Sequence, residues 1–268
     1  DIPPLTLTFF RWAVALIVVI PITWRKFVED LPVIKRHWKW MLMASATGVA
    51  IFHSFIYMGL SSTTAVNAGL MMATSPIVIP VVAYLVHRDK LTGRQAIGLV
   101  ALVLGVGFII TRGDLNVLSN LTFNTGDLWI LAAVPNWALY SVLLKDRPAG
   151  LSSRALVLTI TAIGTVLLTP FYFWELSTVG GFDLNSANLL TIAYVSVVAS
   201  VIAYFAWNKG VAAVGAIKAG PFLHMIPVVA MLLGIVFLGE TLQAFHFLGM
   251  AMIASGILLT AMKPRATS

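Results

Sequence analysis

The chain has 268 residues, 59% of them apolar and only 10% charged, with seventeen Lys and Arg against ten Asp and Glu for a net charge of +7. Soluble domains carry about 25% charged residues and need a polar exterior that this composition cannot supply, and its apolar content equally excludes intrinsic disorder. There is no cysteine, which removes disulfides, thiolate metal sites and thiol catalysis, and the basic residues are scattered among apolar runs, so a nucleic-acid partner is not expected.

What remains is an all-α, polytopic membrane protein whose first partner is the lipid bilayer. Crossing about 30 Å of hydrocarbon takes roughly 20 apolar residues as a helix. Runs of that kind lie at about 5–22, 40–60, 64–86, 95–110, 128–144, 155–173, 189–208, 214–238 and 245–262, nine in all. They are too long and too evenly apolar for outer-membrane strands, which alternate and span in about 10 residues.

The Lys and Arg between these runs set the orientation. The connections at 23–39, 87–94 and 145–154, Lys209, and Lys263 with Arg265 hold fourteen, whereas the alternate connections hold Arg112 alone. A cell inner membrane location with the carboxyl end in the cytoplasm follows, and Asp1 falls on the opposite side.

An offset of 151 residues aligns the chain with itself. Gly59, Ala65, Ala68 and Pro76 fall on Gly210, Ala216, Ala219 and Pro227, and Asp89, Leu91, Gly98 and Gly105 fall on Glu240, Leu242, Gly249 and Gly256. A five-helix unit repeated once is inserted in opposite senses, the inverted 5+5 arrangement of many secondary transporters. The units are 1–112 and 126–268, joined by an extracytoplasmic linker at 113–125. The first unit lacks a counterpart to 128–144, so one further helix is expected before Asp1, with both native termini cytoplasmic.

These features resemble the EamA-type members of the drug/metabolite transporter superfamily. The resemblance is carried by Leu5–Trp12, with its Phe9-Phe10-Arg11-Trp12 ending, and by Pro76–Lys90 and Pro227–Glu240, where a proline precedes an apolar run ending at an acid. It covers essentially the whole chain. It implies alternating access around a central cavity built from helices one to four of each repeat, with the fifth helix peripheral. Within the family the chain is most similar to bacterial exporters of aromatic and other amino acids.

A polar group inside a span is costly, and each is a functional candidate. The acids Asp89, Asp127, Glu175 and Glu240 stand at span ends, so no mid-membrane carboxylate is available for a cationic drug or a proton. His53 lies near the middle of its span with Tyr57 one turn on, and His224 lies one turn before Pro227. Pro135, Asn136, Trp137 and Tyr140 cluster mid-span, where a freed carbonyl and two rings could wall a cavity. Ser196, Ser200, Tyr204 and Trp207 share one face, with Tyr204 falling on His53 under the offset, and Asn67, Met71 and Ser75 form a stripe at four-residue steps. Core packing accounts for many such residues equally well. The substrate-site candidates are His53, Tyr57, Asn136, Trp137, Tyr140, Ser200, Tyr204 and His224. Lys218 reads as a snorkelling cation and Arg11 as a partner of backbone carbonyls, though either could meet a substrate carboxylate.

The expectation is a secondary transporter, exporter or facilitator, of small organic solutes such as aromatic and other neutral amino acids. The sequence does not fix the oligomeric state, a monomer being favoured, and it calls for no cofactor and no metal. A phosphorylated-sugar or nucleotide-sugar exchanger is the alternative. An integral-membrane enzyme fits less well, because no acid pair, His-x-x-x-His or served nucleophile is evident.

Overall fold

In hydrocarbon every backbone polar group has to be satisfied within its own segment, which makes helix the default for each apolar run. The computed structural model describes residues 2–114, 116–226, 228–229 and 243–261. Among them, seven helices are long and apolar enough to cross a bilayer: α1 (Pro4–Arg36), α2 (Trp38–Leu60), α3 (Val66–His87), α4 (Gly93–Ile110), α5 (Thr125–Asp146), α6 (Ser153–Thr178) and α7 (Ser186–Val214). A shorter apolar helix, α8 (Phe245–Ala261), follows, and the described residues contain no strand. Residues 227 and 230–238 of the expected span 214–238 lie outside the described residues, as do Asp1, Glu240, Leu242, Lys263 and Arg265.

Three of these helices differ from uniform spans. The sequence ends the first span near residue 22, yet α1 runs 33 residues to Arg36, about 50 Å at 1.5 Å per residue and so well past the hydrocarbon. The basic stretch is thus a solvated extension of the helix, held by Arg25 and Lys26 on Glu29 and by Asp30, which accepts from the Ser152 amide at 2.7 Å. The helices α2 and α7 each widen into a π-turn, Ala46–Ile51 and Val197–Ile202. These two turns stand in the same 151-residue register that aligns the sequence with itself.

The register of packing shows how the helices run. Glu175 of α6 accepts from the amides of Leu5 and Thr6, while Ser152, which caps α6, meets Asp30; α1 and α6 are antiparallel. Gly59 lies against Gly126 and Gly48 against Tyr140, so α2 and α5 are antiparallel too. Helix α3 packs on α5, and α1 also packs on α7.

Helices α4 and α8 form a pair beside this core. A Cβ on Gly98 would lie 2.8 Å from the Gly256 carbonyl, and one on Gly105 would lie 2.9 Å from the Gly249 carbonyl. The four glycines that align under the 151-residue offset therefore face one another across an antiparallel contact, where the lack of a side chain lets the backbones approach. Gly105→Leu is expected to lower the unfolding midpoint in detergent, overpacking of this kind costing about 1–3 kcal/mol. Gly107→Ala, whose new methyl would meet nothing within 4 Å, is expected not to lower it. Scanning fluorimetry of both variants checks the pair.

Candidate functional site

Seven rings from four helices meet in the interior. Helix α1 supplies Trp12, α2 supplies Phe52 and His53, α5 supplies Trp137 and Tyr140, and α7 supplies Tyr204 and Trp207. Tyr204 is the hub: its ring centroid lies 4.9 Å from Trp12, 5.7 Å from Tyr140, 5.8 Å from Trp137 and 6.1 Å from His53. Phe52 and Trp207 extend the cluster on Trp137 at 4.9 and 5.2 Å. The planes are tilted or edge-on, the arrangement that ring quadrupoles favour. The sequence led us to expect a hollow here, but the rings fill the space against one another, leaving Tyr140 0% and Tyr204 2% exposed.

Each polar tip in the cluster has a defined state. The Tyr204 hydroxyl donates to the Gly48 carbonyl in the π-turn of α2, and the Tyr140 hydroxyl donates to Asn208 Oδ1 at 2.7 Å. Trp207 Nε1 donates to Ser141 Oγ at 3.2 Å. His53 Nδ1 sits 3.2 Å from the Val49 carbonyl; a carbonyl only accepts, so this nitrogen carries the proton. Among the described residues, three buried donors at this cluster have no partner, Trp12 Nε1, Trp137 Nε1 and Asn208 Nδ2, while Trp40 Nε1 is a further unmet donor apart from these rings. Leaving such a group unmet costs about 1–3 kcal/mol, and three around one cluster mark a place built to meet acceptors.

Toward the end of the molecule where α1 begins, Arg11 joins three helices. Its Nε donates to Ser200 Oγ at 2.6 Å, Nη2 to the Ala199 carbonyl at 2.7 Å, and Nη1 to the Tyr57 hydroxyl at 3.1 Å. Of the site candidates, His53, Trp137, Tyr140 and Tyr204 thus come together in the cluster, while Tyr57 and Ser200 come together on Arg11. Asn136 is bonded to the Ala132 carbonyl of its own helix. His224 is buried at the end of a short 3₁₀ turn, Gly220–His224, away from the rings.

The two ends of the bundle differ. At the basic end a cavity of about 600 Å³ opens between α3, α5, α7 and the short helix Ala216–Ala219, lined by His87, Asp89, Lys90, Lys145, Arg147 and Lys218 among others. Lys145 pairs with Asp89, and His87 with Asp146, which leaves the lining positive. Val142 and Val211 also line it, two and three residues along the chain from Tyr140 and Asn208. At the opposite end the space is closed. Gly59 and Gly126 touch, and Asp127, fully buried, accepts from Thr63 Oγ1, from Asn67 Nδ2 at 3.0 Å and from the Asn124 amide at 2.9 Å. Where α1 begins and α6 ends, Phe9 stacks on Tyr172 at 4.5 Å, and Phe10 meets Tyr172 and Phe182 edge-on at 5.6 and 5.5 Å.

With this geometry in view, the sequence pattern of the EamA-like transporter family matches residues 1–111 and 124–262. The chain belongs to that family. The chain is also similar to the uncharacterized transporters YyaM and YetK of Bacillus subtilis (strain 168). YyaM is 28% identical over 79% of this chain and 69% of its own length, and YetK is 29% identical over 84% and 68%. A transporter of Archaeoglobus fulgidus is 22% identical over 98% of this chain and 89% of its own. A solved crystal structure shares the fold with a TM-score of 0.75 at 16% identity, covering 97% of this chain and 87% of that one.

Sequence reasoning missed two members of the EamA-like interior. Asn208 falls on Tyr57 under the 151 offset, so extending that comparison by one turn would have found it. Trp12 is adjacent to Arg11, and its place at the hub had no signal of its own. Asp127 and Glu175 read as span-end residues, and the structure adds that both are buried and fully engaged. Asp127→Ala is expected to destabilise the protein by about 1.5–3 kcal/mol, the worth of a hydrogen bond to a buried charge. Asp183→Ala, on an exposed loop residue, is expected to leave stability unchanged; thermal unfolding in detergent compares them.

Proposed function

We propose that this EamA-like chain is a secondary transporter of small organic solutes, aromatic and other neutral amino acids first among them, working by alternating access. The observation that carries the reading is the buried ring cluster with its unmet donors, set between an open cavity at one end and a hydrogen-bonded seal at the other. A solute ring has stacking faces at Trp137, Tyr140 and Tyr204, and its polar end has donors at Arg11, Trp12 and Asn208, with His53 Nε2 left as an acceptor. His53, Tyr57, Trp137, Tyr140, Ser200 and Tyr204 form the core of this site, with Asn136 and His224 at its margin.

Alternating access in our reading comes from two repeat units, 1–112 with four helices and 126–268, inserted in opposite senses around a linker at 113–125. Three features support it: the π-turns share one register, α4 and α8 pack antiparallel through equivalent glycines, and α2 and α7 run in opposite directions past each other. The direction follows from Arg11, which links Tyr57 to Ser200, and from Tyr204, which reaches back to Gly48. The protein sits in the cell inner membrane as a monomer, its basic end and both native termini cytoplasmic, and the open cavity then faces inward.

The positive lining of that cavity favours a second reading, exchange of a phosphorylated sugar or nucleotide sugar, because phosphate needs fixed cations. Charge at this end is, however, where the positive-inside rule places it in any membrane protein, so the amino-acid reading stands ahead. Counterflow in proteoliposomes with labelled aromatic amino acids and with a labelled nucleotide sugar separates the two. Trp137→Phe keeps a ring but shrinks the stacking face, a loss of about 0.5–1.5 kcal/mol, so amino-acid flux is expected to fall roughly three- to ten-fold. Undiminished flux in the folded variant removes Trp137 from the site.

A further inference from the structure

The charge placement inside the bundle is one-sided. Arg11 is 8% exposed, and its three hydrogen-bond partners, Ser200, Ala199 and Tyr57, are all neutral. No carboxylate of the described residues forms an ion pair with it. The buried acids are engaged elsewhere: Asp127 in the seal on Thr63, Asn67 and Asn124, and Glu175 on the first amides of α1. Burying a cation without a counter-charge is unfavourable, and a guanidinium has five N–H groups, of which three bonds use three. If Arg11 served only to tie α1 to α2 and α7, a neutral donor would make the same ties without the buried charge.

The surroundings point the same way. The unmet groups in the cluster, Trp12 Nε1, Trp137 Nε1 and Asn208 Nδ2, are all donors, and Trp12 and Tyr57 place their rings 5.5 and 5.9 Å from the guanidinium carbon. The interior therefore offers a fixed positive charge, spare N–H groups and ring faces. It offers no acid, among the described residues, to receive an ammonium.

Resting on the transport reading above, we propose that Arg11 anchors the carboxylate of the cargo and that the site does not read the ammonium group. The substrate class is then ring-bearing monocarboxylates, with aromatic 2-oxo acids carried alongside the corresponding amino acids and the decarboxylated amines refused. A carboxylate has two oxygens for the guanidinium fork, and taking it up would exchange the neutral ties to Tyr57 and Ser200 for a charged one.

Three solutes sharing a phenyl ring test this in proteoliposomes of the full chain: L-phenylalanine, phenylpyruvate and phenethylamine. In the unmodified protein, unlabelled phenylpyruvate is expected to compete with labelled L-phenylalanine exchange within a few-fold of phenylalanine itself, and phenethylamine to fail at a hundredfold higher concentration. Arg11→Gln is expected to cut exchange of both carboxylates at least ten-fold, with Arg11→Lys partly restoring it. Competition by the amine as good as by the oxo acid, or wild-type exchange by a folded Arg11→Gln, overturns the anchor and leaves the transport reading standing. Absence of exchange for all three solutes overturns both.

Discussion

A helix that loosens its own hydrogen-bond ladder inside hydrocarbon has to find partners from somewhere else, and this requirement organises the interior. Helices α2 and α7 both loosen into π-turns, at Ala46–Ile51 and Val197–Ile202, the kind of irregularity that recurs at functional positions. In each turn a carbonyl is claimed by a side chain from another helix, Gly48 by Tyr204 and Ala199 by Arg11. The two claims interlock, because Tyr204 stands on the helix whose π-turn Arg11 reaches, while Arg11 also holds Tyr57 on the helix whose π-turn Tyr204 reaches. Packing of the rings around Tyr204 depends on this pair of ties. So does the relative placement of α1, α2 and α7.

Such ties suit a protein that changes shape. They are few, directional and drawn from opposite parts of the chain, so breaking them separates α2 from α7 without unravelling either. The seal around Asp127 has the same character: the side chains of Thr63 and Asn67 and the Asn124 amide close on one carboxylate. By contrast the α4–α8 contact brings glycine backbones together, with Leu102, Ile109 and Ile253 packed tightly against them. In our proposal the first two are the parts that switch, and the glycine pair is the part that stays put.

Much of this was legible in the sequence, and the exceptions have physical causes. Apolar runs mark where helices cross, because the bilayer fixes both length and composition. They do not mark where a helix stops, and α1 continues to Arg36 since a solvated, ion-paired extension carries no apolar signature. A π-turn adds one residue to a helix without changing its composition, so neither was visible, although both lie in the 151-residue register that Tyr204 and His53 disclosed. The candidates that came together, His53, Trp137, Tyr140 and Tyr204, are rings at mid-depth, where aromatic residues otherwise prefer the interfaces. Asn136 had the polarity of a site residue, but its amide is within reach of the preceding turn of its own helix and is used there. Polarity alone does not distinguish these cases; the direction of the side chain does.

The same distinction separates the two cations that sequence reading left inside spans. Lys218 lines the cavity at the basic end, where a flexible stem can lift its charge toward water. Arg11 has no such exit, for its guanidinium is fixed by bonds to α2 and α7 and flanked by the rings of Trp12 and Tyr57. A planar, always-charged group held in one orientation is poorly suited to wander and well suited to receive a planar anion. Rigid placement with no carboxylate of the described residues paired to it is what sets Arg11 apart from Lys218 as the cation our proposal assigns to an anionic solute.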